Sequence, residues 1–358
     1  MSARELISRY DTPVRTTLRG VLVVALLLGL ALASDTACAK IVNPNVERVD
    51  AAHLIVTWSS DVPVTVYWEP RADSDREHGS LLASENHDGR LWVTLKGNQL
   101  TQRPYFLLGD RGDRPVRVAE RVLPLERGSN TRDVGGYATA DGRHVKWGLI
   151  YRSGATPVVT DRDVAYLRSL GWVDMIDLRS AQERRLAPTR LGGDGVRLLT
   201  SDYSYATLPD NYLGLLEVLK PQLRLLFQEL RLRHVPLSYN CTAGQDRTGI
   251  ATALVLSALG VPRDQILADY HLSTIHRHPE NEAPPMTPAQ VRDDPLAAVL
   301  AGVRQSRPDP LYSPQGRSYL AELFDGIDAR WGSVDGYLAE VLGVGSPQLA
   351  ELRANYLE

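Results

Sequence analysis

The sequence predicts an α/β protein with two domains: one built on a central, mostly parallel sheet flanked by helices, preceded by a small all-β sandwich. Three observations predict this. Between Lys40 and Leu125, short alternating or β-branched runs follow one another with no helical stretch between them. After Glu126 the pattern changes to strand and helix signals in alternation. Within that later region, a strand runs straight into a loop and then an apolar helix, an order that sets the loop at a strand's carboxyl end and a helix's amino end.

The chain has 358 residues, 43% hydrophobic and 23% charged, enough for about two domains. A net charge of -3 carries none of the basic excess that neutralises nucleic-acid phosphates, so nucleic acid is excluded as a partner. Residues 1–39 read as a signal peptide. Arg4, Arg9, Arg15 and Arg19 precede a 13-residue apolar run from Val21 to Ala33, and small residues follow at Ala37 to Ala39. A signal-peptide core takes roughly 7–15 residues, whereas a spanning helix needs about 20. Export to the periplasm or beyond is expected, with cleavage after Ala39. Glu5, Asp11 and the length of the leader leave open an uncleaved N-terminal anchor, which would bring a membrane into play. A lipid on Cys38 is a third reading, against which Asp35 stands where a lipobox has an aliphatic residue.

In residues 40–125 the expected strands are His53 to Trp58, Val62 to Trp68, Leu91 to Leu95, Tyr105 to Leu108 and Val116 to Val122, punctuated by Asp61, Asp110, Gly112 and Pro115. The pattern resembles a fibronectin type III or immunoglobulin-like module and carries no catalytic cluster. In residues 126–358, Gly148 to Tyr151 and Val173 to Leu178 read as buried strands around a helix from Asp161 to Leu170, capped at Thr160 or Asp161. Leu213 to Arg233 is helical, with Pro221 implying a kink or two shorter helices. Val235 to Tyr239 reads as a strand, and Thr248 to Leu259 as an apolar helix ended by Gly260. His271 to Ser313, rich in proline, reads as an irregular insertion, with residues 271–315 a candidate lid. Ser318 to Leu357 returns to helical periodicity with a break at Gly343 to Gly345.

Cleavage of the leader removes Cys38 and leaves Cys241 alone. A single cysteine in an oxidising compartment is a liability unless it has a task, or is simply a small buried apolar residue. Its neighbours point to a task. In Asn240-Cys241-Thr242-Ala243-Gly244-Gln245-Asp246-Arg247-Thr248-Gly249, five residues separate cysteine from arginine. That spacing lets the backbone curl so that successive N–H groups face one phosphate, and Gly244 permits the turn. The helix that follows adds its positive end, which favours a thiolate. Arg247 can grip phosphoryl oxygens in a two-point fork, and the Thr248 hydroxyl can donate to the sulfur when it leaves.

This loop resembles the signature of the cysteine-dependent tyrosine phosphatases. It is closest to the bacterial secreted tyrosine/lipid phosphatase family, with its His-Cys-x-x-Gly-Lys-Asp-Arg-Thr-Gly pattern. The resemblance extends to Asn130, Arg132, Asp133, Gly135, Gly136 and Tyr137, to Tyr151-Arg152-Ser153-Gly154, and to Asp177-Leu178-Arg179-Ser180 with Glu183 and Arg184. It reaches the tail at Tyr319-Leu320, Tyr337-Leu338, Leu352-Arg353 and Tyr356-Leu357. It implies a tyrosine-phosphatase-like fold for residues 126–358. It also implies a phosphocysteine intermediate on Cys241, phosphate held by Thr242, Ala243, Gly244, Gln245 and Arg247, and no metal or cofactor. Asn240 replaces the usual histidine and Gln245 the usual lysine. With Thr242 also uncharged, the cup has fewer cations for a highly charged inositol phosphate than for an aryl phosphate.

The comparison suggests Asp246 as the general acid, with Asp177, Asp202 and Asp210 in reserve; an alternative is that Asp246 pairs with Arg132 or Arg179 and braces the loop. Arg132 and Asp133 lie in a glycine-rich turn expected beside the loop, either ordering it or forming a salt bridge within the turn. Asp177 and Arg179 end a buried strand, which favours bracing. His271, His276 and His278 are spaced too irregularly for a metal site. The expected partner is a phosphotyrosine protein or another phosphomonoester. Alternatives are a phosphoinositide or inositol phosphate phosphatase, a rhodanese-like sulfurtransferase and a non-catalytic phospholigand binder.

Overall fold

A computed structural model describes residues 41–74, 79–109, 115–193 and 195–358. The leader, residues 1–39, lies outside the described residues, as do the predicted turn-formers Asp110 and Gly112.

Among the described residues, seven strands form the amino-terminal region: β1 (Val42–Arg48), β2 (His53–Ser59), β3 (Val64–Glu69), β4 (Ser80–Asn86), β5 (Arg90–Thr94), β6 (Tyr105–Gly109) and β7 (Val116–Ala119). They make two antiparallel sheets, ordered β1-β2-β5 and β4-β3-β6-β7. The alternation read from the sequence is the packing. In β2, Leu54, Val56 and Trp58 point inward and meet Val64, Val66, Phe106 and Leu108 of the facing sheet. That core also takes in Trp147, a residue of the following domain.

The larger domain is built on a five-stranded sheet ordered β11-β10-β12-β9-β8. Its strands are β8 (Arg132–Asp133), β9 (Ile150–Ser153), β10 (Asp174–Asp177), β11 (Arg197–Thr200) and β12 (Leu237–Asn240). All pairings are parallel except that of β8, at one edge. Every residue of β9, β10 and β12 is buried, as a parallel sheet covered on both faces requires. The helices are α1 (Asp161–Ser169), α2 (Ala181–Leu186), α3 (Tyr212–Val218), α4 (Lys220–Arg231), α5 (Asp246–Ala258), α6 (Arg263–His276), α7 (Pro288–Asp293), α8 (Pro295–Val303), α9 (Tyr319–Trp331), α10 (Val334–Leu342) and α11 (Ser346–Tyr356). Eleven of the thirteen residues of α5 are buried, so it is the central helix of the larger core.

Pro221 divides the predicted long helix into α3 and α4 and stands in the first turn of α4, where its missing N–H costs nothing. The region from His271 to Ser313 departs from expectation. Instead of an irregular insertion it holds the end of α6 and all of α7 and α8. Proline misled the reading because Pro288 and Pro295 sit at helix starts behind the N-caps Thr287 and Asp294, where proline favours a helix. Leu296 and Leu300 of α8 pack with Ala187, just beyond α2.

Candidate active site

The register of the parallel sheet creates the site. Asn240 at the end of β12 lies level with Ser153 of β9 and Asp177 of β10, so three strand-to-loop transitions meet at one edge. The middle one carries Cys241, which is 1% exposed. Burial alone would suit an ordinary core cysteine, but the loop after it is not packed like a core.

Three successive carbonyls of that loop are tied to groups outside it. The Thr242 carbonyl accepts from Ala155 N at 2.9 Å. That of Ala243 accepts from Asn130 Nδ2 at 3.2 Å, and that of Gly244 from Asn130 Nδ2 at 2.7 Å and Arg152 Nη2 at 2.8 Å. The amide N–H groups of Thr242 to Gln245 find no acceptor among the described residues. A loop whose carbonyls are claimed outside and whose N–H groups stay unclaimed is an anion nest. Gly244 makes the curl feasible. Its φ is +65°, and a Cβ there would stand 2.5 Å from Ser153 O and Gly154 N.

Arg247, in the first turn of α5, is oriented by Glu183. Nη1 donates to Glu183 Oε2 at 2.8 Å and Nη2 to Oε1 at 2.7 Å, while Nη1 also donates to the Tyr203 hydroxyl at 2.5 Å. Glu183 further accepts from Thr242 Oγ1 at 2.6 Å and from Ser180 N at 2.9 Å. Burial would raise the carboxyl's pKa, but Arg247 and these donors outweigh it and hold it at about 2. The end of the guanidinium is thus spoken for, and Nε with the second Nη2 hydrogen forms an edge able to take an anion. The Thr248 hydroxyl, fully buried, has no partner among the described residues.

Asp246, the first residue of α5, pairs with neither Arg132 nor Arg179. Its Oδ1 accepts from the Tyr212 hydroxyl. Arg179 is closed on Asp177, both fully buried, with Nη2–Oδ2 at 2.6 Å. Asp202 pairs with Arg184. Arg132 reaches the loop only at second hand: it holds Asp269 at 3.1 Å and also donates to the Asn130 side chain, whose amide holds the loop carbonyls. Asp133, expected beside the loop, faces away from it. It takes Arg103 of the amino-terminal domain at 2.5 Å and the N–H groups of Gly135 and Gly148. The reason is the two-residue span of β8, in which neighbouring side chains point to opposite faces.

Gln245, in the lysine position, accepts from Arg277 Nη1 at 2.8 Å, and Arg277 is itself forked by Glu282 at 2.8 and 2.9 Å. The three histidines of the 271–278 stretch do not gather; His271 stacks on Tyr312 with centroids 4.5 Å apart. Among the described residues, Asp174, Glu229 and His234 do converge. The Arg197 guanidinium sits among them, with Nη2 2.7 Å from Asp174, 2.8 Å from Glu229 and 3.0 Å from His234. A cleft of about 690 Å³ opens onto Asp246 and Arg247, with Tyr212 and Tyr319 in its lining and Asp210 and Glu322 adding carboxylates.

Residues 123–358 match the sequence profile of the tyrosine phosphatase family. The chain belongs to that family. The phosphatase is 34% identical over 255 residues to a Cupriavidus necator protein provisionally named a tyrosine-protein phosphatase, an alignment covering 66% of this chain and 88% of that one. It is 28% identical over 273 residues to the triple specificity protein phosphatase of Mycobacterium tuberculosis, covering 62% and 94%. With a tyrosine-protein phosphatase of Nostoc commune it shares 26% identity over 215 residues, covering 54% and 69%.

Asn130, Arg152 and Glu183 stand within the motifs visible in the sequence, but their tasks emerge only from these contacts. Glu183 had a local signal, since Ser180-x-x-Glu183 is a capping-box pattern that fixes its place on α2. Tyr203, Tyr212, Asp269 and Arg277 were missed, and nothing in their local sequence marks them.

Proposed function

We propose that the phosphatase hydrolyses phosphotyrosine in proteins through a phosphocysteine on Cys241. The observation that carries this is the loop itself, with three carbonyls tied outward and the amides left over beside a cysteine and an oriented arginine. In the first step the thiolate attacks phosphorus, the P–O ester bond breaks, and Asp246 gives its proton to the departing phenol oxygen. Arg247 and the loop amides hold the phosphoryl oxygens as charge spreads. In the second step Asp246 takes a proton from water as that water attacks phosphorus. The P–S bond breaks, and the Thr248 hydroxyl steadies the returning thiolate. Arg132, Asp177 and Arg179 act as braces, and Asp133 braces the seam with the sandwich.

The lining of the cleft supports an aryl phosphate. Tyr212 and Tyr319 offer aromatic surface to a phenyl ring, while Asp210 and Glu322 oppose the approach of a polyphosphate. Arg277 favours a second reading, a phosphoinositide phosphatase, because it brings a cation to Gln245; its charge is largely met by Glu282. Export remains a proposal resting on the leader's pattern, and residues 271–315 are proposed to flank the phosphate cup as a cover. The deciding experiment uses Cys241→Ser. The variant should lose nitrophenyl phosphate hydrolysis and keep phosphate binding, and unchanged turnover would falsify the nucleophile assignment. Parallel assays on phosphotyrosine peptide and phosphoinositide vesicles separate the two readings.

A further inference from the structure

The Tyr212 hydroxyl, at the start of α3, donates to Asp246 Oδ1 and lies 2.5 Å from the Tyr270 hydroxyl of α6. Oδ2 of Asp246 has no partner among the described residues. The two oxygens of one carboxyl group are therefore distinguished. Oδ1 is held as an acceptor, Oδ2 is left as the oxygen that can carry a transferable proton, and the residue lines the cleft.

The rings behind these hydroxyls are fixed by packing. Tyr212 stacks on Tyr319 with centroids 5.6 Å apart and meets Tyr270 edge-on at 6.2 Å. Tyr270 lies against α5 where Gly249 has no side chain; a Cβ there would be 2.9 Å from its ring. Burial first, and then the Asp246 carboxylate, raises the pKa of both phenols, so both stay neutral hydroxyl donors.

We propose that Tyr212 is a positioning residue for proton transfer, holding Asp246 by Oδ1 so that Oδ2 delivers the proton, with Tyr270 orienting the Tyr212 hydroxyl. This rests on the reading of Asp246 as the acid. Loss of the Tyr212 hydroxyl leaves Oδ1 without its donor, so the carboxyl group is no longer held in one orientation for proton delivery. A misplaced acid costs most where the leaving oxygen needs its proton, so the loss is larger for phenyl phosphate than for nitrophenyl phosphate. Arg247, Arg277, Asp210 and Glu322, the other charged groups around Asp246 and its cleft, stay in place in the variant.

The test compares wild type, Tyr212→Phe, Tyr270→Phe and Asp246→Asn on nitrophenyl phosphate and phenyl phosphate. Tyr212→Phe should lose about tenfold more kcat/KM on phenyl than on nitrophenyl phosphate. Tyr270→Phe keeps every ring contact and should show the same pattern at smaller size, which keeps the proposal testable if Tyr212→Phe folds poorly. Equal losses on both substrates, in both tyrosine variants, would overturn the proposal alone, provided Asp246→Asn does discriminate the substrates. If Asp246→Asn loses equally on both, the acid reading beneath it fails as well.

Discussion

Arg247 and Glu183 face each other through two hydrogen bonds of 2.8 and 2.7 Å, and Glu183 reaches Thr242 at the far end of the same loop. One carboxylate thus ties the first turn of α5 to the residue after Cys241. It sets the arginine's orientation within the fold itself, which is the preorganisation that the proposed role of Arg247 needs.

Glu183→Gln should therefore cost both activity and stability. It leaves Arg247 buried without a counter-charge, a loss of about 3–5 kcal/mol. The Glu183 pKa is lowered in the fold, from an ordinary 4.5 to about 2. Its stabilisation is complete above the ordinary value and is lost as pH falls toward the lower one. Urea unfolding of wild type and variant at pH 7 and at pH 3 should show the gap between them narrowing at the lower pH.

Gly244→Ala should disable the cup without removing any chemical group. The added methyl meets backbone at 2.5 Å and forces a left-handed φ on a non-glycine residue. The strain is about 1–3 kcal/mol. A drop in phosphate affinity with near-native circular dichroism is the expected result, read by calorimetry.

Asp246→Asn should slow phosphotyrosine or phenyl phosphate turnover far more than nitrophenyl phosphate turnover, because nitrophenolate leaves without a proton. General acids contribute about 10²–10⁴-fold. Steady-state kinetics on the two substrates gives the ratio directly.

Arg103→Met should destabilise the protein although it lies outside the cup. Arg103 is 4% exposed and holds Asp133, the Tyr151 hydroxyl and the Glu120 carbonyl. Its removal strands the buried Asp133 carboxylate, again at about 3–5 kcal/mol. The midpoint of denaturant unfolding should fall, while kcat measured well below that midpoint changes little.

The elements nearest the chemistry were legible because their signals are local. Cys241 to Arg247 shows its spacing, its glycine and its following helix within one short stretch of chain, and α1 announces itself by a cap at Thr160 or Asp161 ahead of an apolar period. The helices α7 and α8 were not legible, because a proline at a helix start and a proline in a loop are the same letter until the backbone around it is known.

The sequence by itself determined the fold class, the strand-loop-helix at Cys241 and the family resemblance. The first two follow from periodicity and spacing along the chain, and the resemblance from the residues that match the family's motifs. Tertiary structure alone decided which charges meet. Arg152 and Arg132 close on Asp269, more than a hundred residues later in the chain, Asp133 turns to Arg103 and leaves the loop, and Asp246 finds Tyr212 instead of an arginine. Ionic and hydroxyl partners are chosen by which side chains the packed sheet and helices bring within about 3 Å, and neither hydrophobic period nor motif spacing encodes that distance.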